Sequence, residues 1–242
     1  MNTVRALWRL FLFLGTLTWY GFPLWVRAAI GTIDWDHHQT IRQTFAKSAL
    51  RKLGVQLTVE GTPYNGGACV YASNHRSWLD PFLQLATVWA FPVAKAEVGK
   101  LPIVAQGARA TGILFVDRGS KGSRKDVVEQ MVTALKSGFS ILIYPEGTTS
   151  TEPGTIAFKR GGFTVAQEAE CPIVPMAVRY SDPTYHWGDG ESLWKNFVQI
   201  AGTKEPTEVT LYIGKPVMVQ NAIADMKTVR EEIDGWILKG LN

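Results

Sequence analysis

An α/β fold, with a central, mostly parallel sheet flanked by helices, is what this 242-residue sequence predicts. The first observation is an alternation: the apolar runs "VQLTV", "ACVYA", "ILFVD", "SILIY", "PIVPMAV" and "VTLYIG" read as strands, with stretches of helical periodicity between them. The second is that several of these runs are continuously apolar, as strands buried on both faces must be. The third is the lack of any long Gly/Ser/Pro linker, which argues for one globular α/β unit over residues 55–242. Ahead of it, residues 1–54 read as an N-terminal membrane-associated helical segment.

That segment contains 17 uncharged residues between Arg9 and Arg27, and the first acid of the chain is Asp34. A spanning helix needs about 20 apolar residues. The run is shorter and carries Gly15, Gly21 and Pro23, so it sits between a single N-terminal anchor and a helix lying in the interface. Trp19, Tyr20 and Trp25 suit headgroup depth, and Arg5, Arg9 and Arg27 are expected to reach lipid phosphates. A secretory signal is the competitor, but "VRAAIG" makes a poor cleavage site. A second helix follows, with Ala46, Ala49, Leu50 and Leu53 in helical register and Gly54 as its stop. Its Arg42, Lys47, Arg51 and Lys52, with no acid between Asp36 and Glu60, are expected to extend the membrane-facing surface. His37 and His38 are expected to be solvent exposed.

Farther along, "SRKDVVEQMVTALKSG" reads as a helix opened by Ser123 and Asp126 in a capping box, striped by Val127, Met131 and Leu135, and closed by Gly138. The C-terminal "DMKTVREEIDGWIL" reads as an amphipathic helix packing through Val229, Ile233 and Ile237. Composition narrows the partners. With 46% apolar and 19% charged residues the chain buries a substantial core, and a net charge of +4 suits an anionic surface. No basic stripe interleaved with stacking aromatics points to nucleic acid. Cys69 and Cys171 stand far apart without ligand spacing, and are expected to be buried thiols.

Polar residues gather where predicted strands end: "NHRSWLD" after "ACVYA", Arg118 after "GILFVD", and "PEGTTS" after "ILIY". Ligands bind at that edge of open α/β sheets. His75 and Asp80, five apart, have the makings of a base and its orienting carboxylate. The bland alternative is a strand-end loop in which Asp80 caps the helix starting at Pro81. No G-x-S-x-G elbow is present, and neither cysteine is placed as a nucleophile beside His75.

These residues resemble the glycerolipid acyltransferase family, the 1-acylglycerol-3-phosphate acyltransferases and their lysophospholipid relatives, from about Leu53 to Pro216. Asn74, His75 and Asp80 match its N-H-x4-D motif, and Gly112, Phe115 and Arg118 match G-x-x-F-x-x-R. Glu146, Gly147 and Thr148 match the start of E-G-T-R, and Pro172 and Pro175 match its proline-paired apolar run. The resemblance implies that His75 and Asp80 are catalytic and that the substrate is held by Asn74, Arg118, Glu146, Gly147, Thr148 and Lys159. A salt bridge from Arg118 to Asp117 or Asp126 is the alternative for that arginine. Glu146 is expected to bond the glycerol hydroxyl or hold Arg118, and Gly147 to let backbone amides approach an oxyanion or phosphate, unless it is a simple turn.

Position 149 departs from the pattern, with threonine where many members carry arginine; Lys159 and Arg160 are expected to replace that charge. Trp187 and Trp194 are expected at the membrane interface, and His186 as a polar loop residue. The implied reaction moves a fatty acyl group from acyl-CoA or acyl carrier protein to a lysophospholipid acceptor, most simply 1-acylglycerol 3-phosphate. No metal or other cofactor is expected. The implied setting is the phospholipid surface on the cytoplasmic face of a bacterial inner membrane.

Overall fold

The computed structural model describes residues 2–95, 112–116, 121–188 and 190–239. Two helices come first, α1 (Asn2–Ala29) and α2 (Trp35–Leu53), followed by strand β1 (Val55–Glu60). Then come β2 (Val70–Ser73), α3 (Asp80–Leu85), β3 (Phe91–Lys95), β4 (Leu114–Val116), α4 (Lys121–Lys136) and β5 (Ile141–Ile143). The remainder is α5 (Gly161–Glu168), β6 (Pro172–Tyr180), a 3-10 turn at Pro183–Tyr185, α6 (Leu193–Ala201), β7 (Thr207–Ile213), β8 (Val217–Met218) and α7 (Ala222–Ile237).

The strands form one sheet in the order β1-β7-β6-β2-β5-β3-β4, with β8 pairing β6. All neighbours are parallel except β6 with β7 and with β8. The mostly parallel α/β sheet is therefore as the sequence predicts, with β3 and β8 added. Strand side chains alternate between faces. Tyr71, Leu142, Val174 and Met176 join α1, α2, α3 and α6 in one core, while Val70, Ile141, Ile143 and Ile173 join α4, α5 and α7 in the other. Val127, Met131 and Leu135 of α4 are buried, as are Val229, Ile233 and Ile237 of α7. Helix α4 begins at Lys121, two residues before the expected capping box, and ends before Gly138, which adopts φ 88°.

The N-terminal helices differ from expectation in where their charges go. Arg5 donates to the Gly202 carbonyl, and Arg9 to those of Ala201 and Thr203. Both cations thus serve the carbonyl end of α6, where the helix dipole favours them, instead of extending toward lipid phosphates. Arg42 is also turned inward. It is buried and donates to Gln39 Oε1 and to the Ala90 carbonyl, so it adds nothing to an outer surface. His38 is buried too, its ring edge-on to Trp35, contrary to the exposure expected of it. Among the described residues, no helix is long and apolar enough to cross a membrane.

Candidate active site

Strand β2 ends at Ser73, and β6 runs on past it to Tyr180. Asn74 fills the resulting gap in the sheet. Its Oδ1 accepts from the Val178 amide at 2.7 Å and its Nδ2 donates to the Val178 carbonyl at 2.9 Å. A side-chain amide thereby imitates one further strand residue. Asn74 is wholly buried and committed to backbone, which removes it from the expected substrate-binding set.

The loop from His75 to Leu79 curls back around Asp80. The Asp80 carboxylate, fully enclosed, accepts at Oδ2 from the Arg76 amide (2.5 Å) and the Ser77 amide (2.8 Å), and bonds His75 Nδ1 at 2.8 Å. Its Oδ1 accepts from the Tyr180 hydroxyl at 2.7 Å. The expectation that Asp80 caps α3 is corrected by this geometry. The N-cap of α3 is Leu79, without a side-chain cap, and the Asp80 oxygens bind the amides of the preceding turn. The carboxylate that faces the imidazole therefore also builds the loop that carries it.

His75 retains 19% exposure, and its ring lies on Tyr144 with centroids 4.0 Å apart and 17° between planes. Tyr144 donates to Gln84 Oε1, and Gln84 Nε2 donates to Ser73 Oγ at 2.7 Å. The imidazole is thus fixed by a hydrogen bond in its plane and an aromatic face against it.

Glu146, at the end of the β5 loop, grips the same structure from the other side. Oε1 accepts from the His75 amide at 2.9 Å and Oε2 from the Ile156 amide at 3.1 Å. Burial pushes its carboxyl above the usual range, against the opposing pull of those amides and of Arg76. Each oxygen already serves a backbone amide, so Glu146 positions the His75 loop. It was expected to bond the glycerol hydroxyl or hold Arg118, and Arg118 lies outside the described residues. Gly147 turns with φ 77°, its amide donating to the Tyr144 carbonyl, and Thr148 follows half-buried. Lys159 closes the loop through its amide, which donates to the Pro145 carbonyl.

Arg76 was not among the expected site residues, although it sits inside the motif. It is 1% exposed, and its guanidinium donates to the carbonyls of Ser150, Pro153 and Gly154. Its own carbonyl accepts from the Trp187 amide at 2.7 Å, tying in the loop before α6. Burial lowers its pKa, partly offset by Glu146, Asp80 and Asp234. Asp234 of α7 accepts from the Thr155 amide and hydroxyl, and Arg230 donates to Thr155 Oγ1 and O. Tyr180, Tyr144 and Asp234 lie outside the matched motifs, and Arg76, although inside one, reaches its partners only through the fold.

The remaining predicted residues separate. Gly112 adopts φ 70°, and a Cβ there would meet the Phe91 ring at 2.5 Å, so only glycine fits this approach. Phe115 is in β4, while Arg118 lies outside the described residues. Cys69 and Cys171 are buried free thiols, each pushed up to about 11 chiefly by burial. His186 is half-buried, its ring edge-on to Tyr180 at 5.9 Å, and burial lowers its pKa to about 4. Trp194 is 44% exposed, whereas Trp187 is half-buried with its indole donating to the Glu191 carbonyl.

Comparison with known proteins adds independent weight. A 1-acyl-sn-glycerol-3-phosphate acyltransferase of Neisseria gonorrhoeae is 30% identical over 139 residues, 57% of this chain and 54% of that one. A chloroplastic protein of the same description from Brassica napus is 30% identical over 122 residues, 50% of this chain and 35% of that one. The chain thus spans about half or less of the length of these curated relatives. The crystal structure of the 1-acyl-sn-glycerophosphate acyltransferase PlsC from Thermotoga maritima shares the fold, with a TM-score of 0.75 over 98% of this chain and 94% of that one at 22% identity. The acyltransferase family profile matches residues 52–179, and with more than half of its length inside that match the chain belongs to the acyltransferase family.

Proposed function

We propose that this protein transfers a fatty acyl group from a thioester to the free hydroxyl of 1-acylglycerol 3-phosphate, forming phosphatidate. Family membership and the descriptions of the relatives support the acyl transfer and its acceptor. The observation that carries the chemistry is the 2.8 Å bond between His75 Nδ1 and an Asp80 carboxylate with no exposed surface, while the imidazole keeps an accessible edge. A carboxylate only accepts, so the proton of the neutral ring resides on Nδ1 and Nε2 holds a lone pair.

Nε2 takes the proton of the lysolipid hydroxyl as its oxygen bonds the thioester carbonyl carbon. Collapse of the tetrahedral intermediate breaks the C–S bond, and the imidazolium returns the proton to the departing thiolate. The products are an ester and a free thiol, with no acyl-enzyme. The two cysteines favour this direct route, since buried thiols with raised pKa are poor nucleophiles. Arg118 and Lys159 supply charge to the acceptor phosphate, and the Gly147–Thr148 turn lies on the same loop. The donor is acyl-CoA or acyl carrier protein. Thr149 supports one alternative acceptor, a lysolipid with another headgroup, because it lacks the arginine's charge.

Membrane attachment is supported by α1, where Val4, Leu7, Trp8, Phe11, Leu14, Trp19, Phe22 and Trp25 are exposed along one side of the helix. Leu193 and Trp194 of α6, which packs on α1, are exposed as well. Such a stripe buries its apolar area in the headgroup region of one leaflet. The reading is monotopic, on the cytoplasmic face of a bacterial inner membrane.

The test uses purified protein, one acyl-CoA and a panel of lysolipids, with products identified by mass spectrometry. Phosphatidate should dominate. Thiol release at the same rate with and without lysolipid would make the protein a hydrolase instead. His75→Ala should lose about a hundredfold or more in rate, the usual worth of a positioned base.

A further inference from the structure

Asp80 receives its four donors from two parts of the chain. The three at Oδ2 belong to the turn that Asp80 itself closes, namely His75, Arg76 and Ser77. The donor at Oδ1 is the hydroxyl of Tyr180, one hundred residues away at the end of β6. A local turn can place one carboxylate oxygen against an imidazole, but it leaves rotation of the carboxylate plane to be fixed by something else.

We propose that Tyr180 is a third, positioning member of the His75–Asp80 pair, whose hydroxyl fixes the plane of the Asp80 carboxylate and sets how strongly that carboxylate holds a proton on the imidazole. This rests on the acyl-transfer reading of the same site. Since Oδ1 can only accept, the phenol must donate to it. A donor to one carboxylate oxygen draws negative charge from the imidazole side, so the pair binds a proton less tightly than it would with Oδ1 bare. Burial and the nearby Asp80 push the Tyr180 phenol well above its ordinary range, which keeps the donor protonated throughout the working pH range.

The other charged and titratable groups around the pair are otherwise engaged. Arg76 turns its guanidinium to the carbonyls of the 150–154 loop, and Glu146 holds the His75 and Ile156 amides. Tyr144 stacks on the imidazole and donates to Gln84. His186 stands edge-on to the Tyr180 ring, and with its pKa near 4 it is uncharged at neutral pH. Among the described residues, only Tyr180 serves Oδ1 from outside the turn.

Tyr180→Phe keeps the ring and deletes the donor. Two measurements are made on full-length wild type and variant: an NMR titration of the His75 imidazole, and kcat/KM for lysolipid against pH. The imidazole titration and the acid limb of the profile should both move to higher pH, by about half a unit to one unit. The plateau kcat should fall severalfold while KM stays unchanged. Loss of activity with both titrations unmoved would reduce Tyr180 to a packing residue and overturn the proposal. If the wild type transfers no acyl group, the reading of the reaction fails, yet the NMR titration still decides the role of Tyr180. Should Tyr180→Phe not fold, 3-fluorotyrosine installed at 180 gives a more acidic donor of nearly the same size. The His75 titration should then move to lower pH, and no movement would overturn the proposal equally.

Discussion

Helix α1 leaves Trp8, Phe11, Trp19 and Phe22 in the open, at 60, 66, 74 and 59% exposure, whereas the loops around His75 enclose Arg76, Asp80 and Glu146 at 1, 0 and 2%. Each region reverses the ordinary partition of side chains. The loops can do so because their polar groups are partnered: Asp80 by four donors, Arg76 by three carbonyls, and Glu146 by two amides. Buried polarity is stable when it is satisfied. The apolar stripe on α1 stays exposed instead, and it is the surface on which the proposed membrane attachment rests.

The sharpest way to break the comparison lies in the polar region. Arg76→Ala would leave three carbonyls without their donor and open a void, costing about 2–4 kcal/mol of stability. A melting temperature that barely falls would mean that the 150–154 loop holds itself. In the apolar region, serine at Trp8, Phe11, Trp19 and Phe22 together should weaken sedimentation with anionic vesicles by well over a hundredfold, since each large side chain buried in lipid contributes on the order of 1.5 kcal/mol or more. The fold should survive, because these side chains face outward; unchanged partitioning would separate α1 from the membrane.

His186 tests whether burial at the site has a pH signature. Its folded pKa lies near 4, below the ordinary value of 6.5, so the unfolded chain binds the proton first on acidification. The stability that the neutral ring contributes is therefore complete above about pH 6.5 and is lost as pH falls toward 4. Wild type should lose stability relative to His186→Gln across that window in denaturant titrations. Parallel curves would mean that the ring is as well solvated folded as unfolded.

Features that depend on near neighbours in the chain were legible. The apolar runs became strands because their side chains alternate into two cores, and His75 meets Asp80 because five residues suffice for one turn. The backbone partners of Asn74 and Glu146 escaped the linear reading for one reason. Both look like ligands to substrate in a linear motif, but their partners, Val178 and His75, come from strands and loops 104 and 71 residues away. Arg5 and Arg9 were likewise read toward lipid because nothing in the N-terminal segment announces the carbonyl end of α6.

By itself, then, the sequence determined the α/β alternation, the helix stripes and the juxtaposition of an imidazole with a carboxylate, all consequences of periodicity and short loops. Only the tertiary structure decided which carboxylate oxygen faces the ring, which phenol holds the other, and which cations are spent inside the protein. A buried polar group takes whatever partner the packed chain brings within about 3 Å. That choice is made when distant segments pack together, and it leaves no mark on spacing.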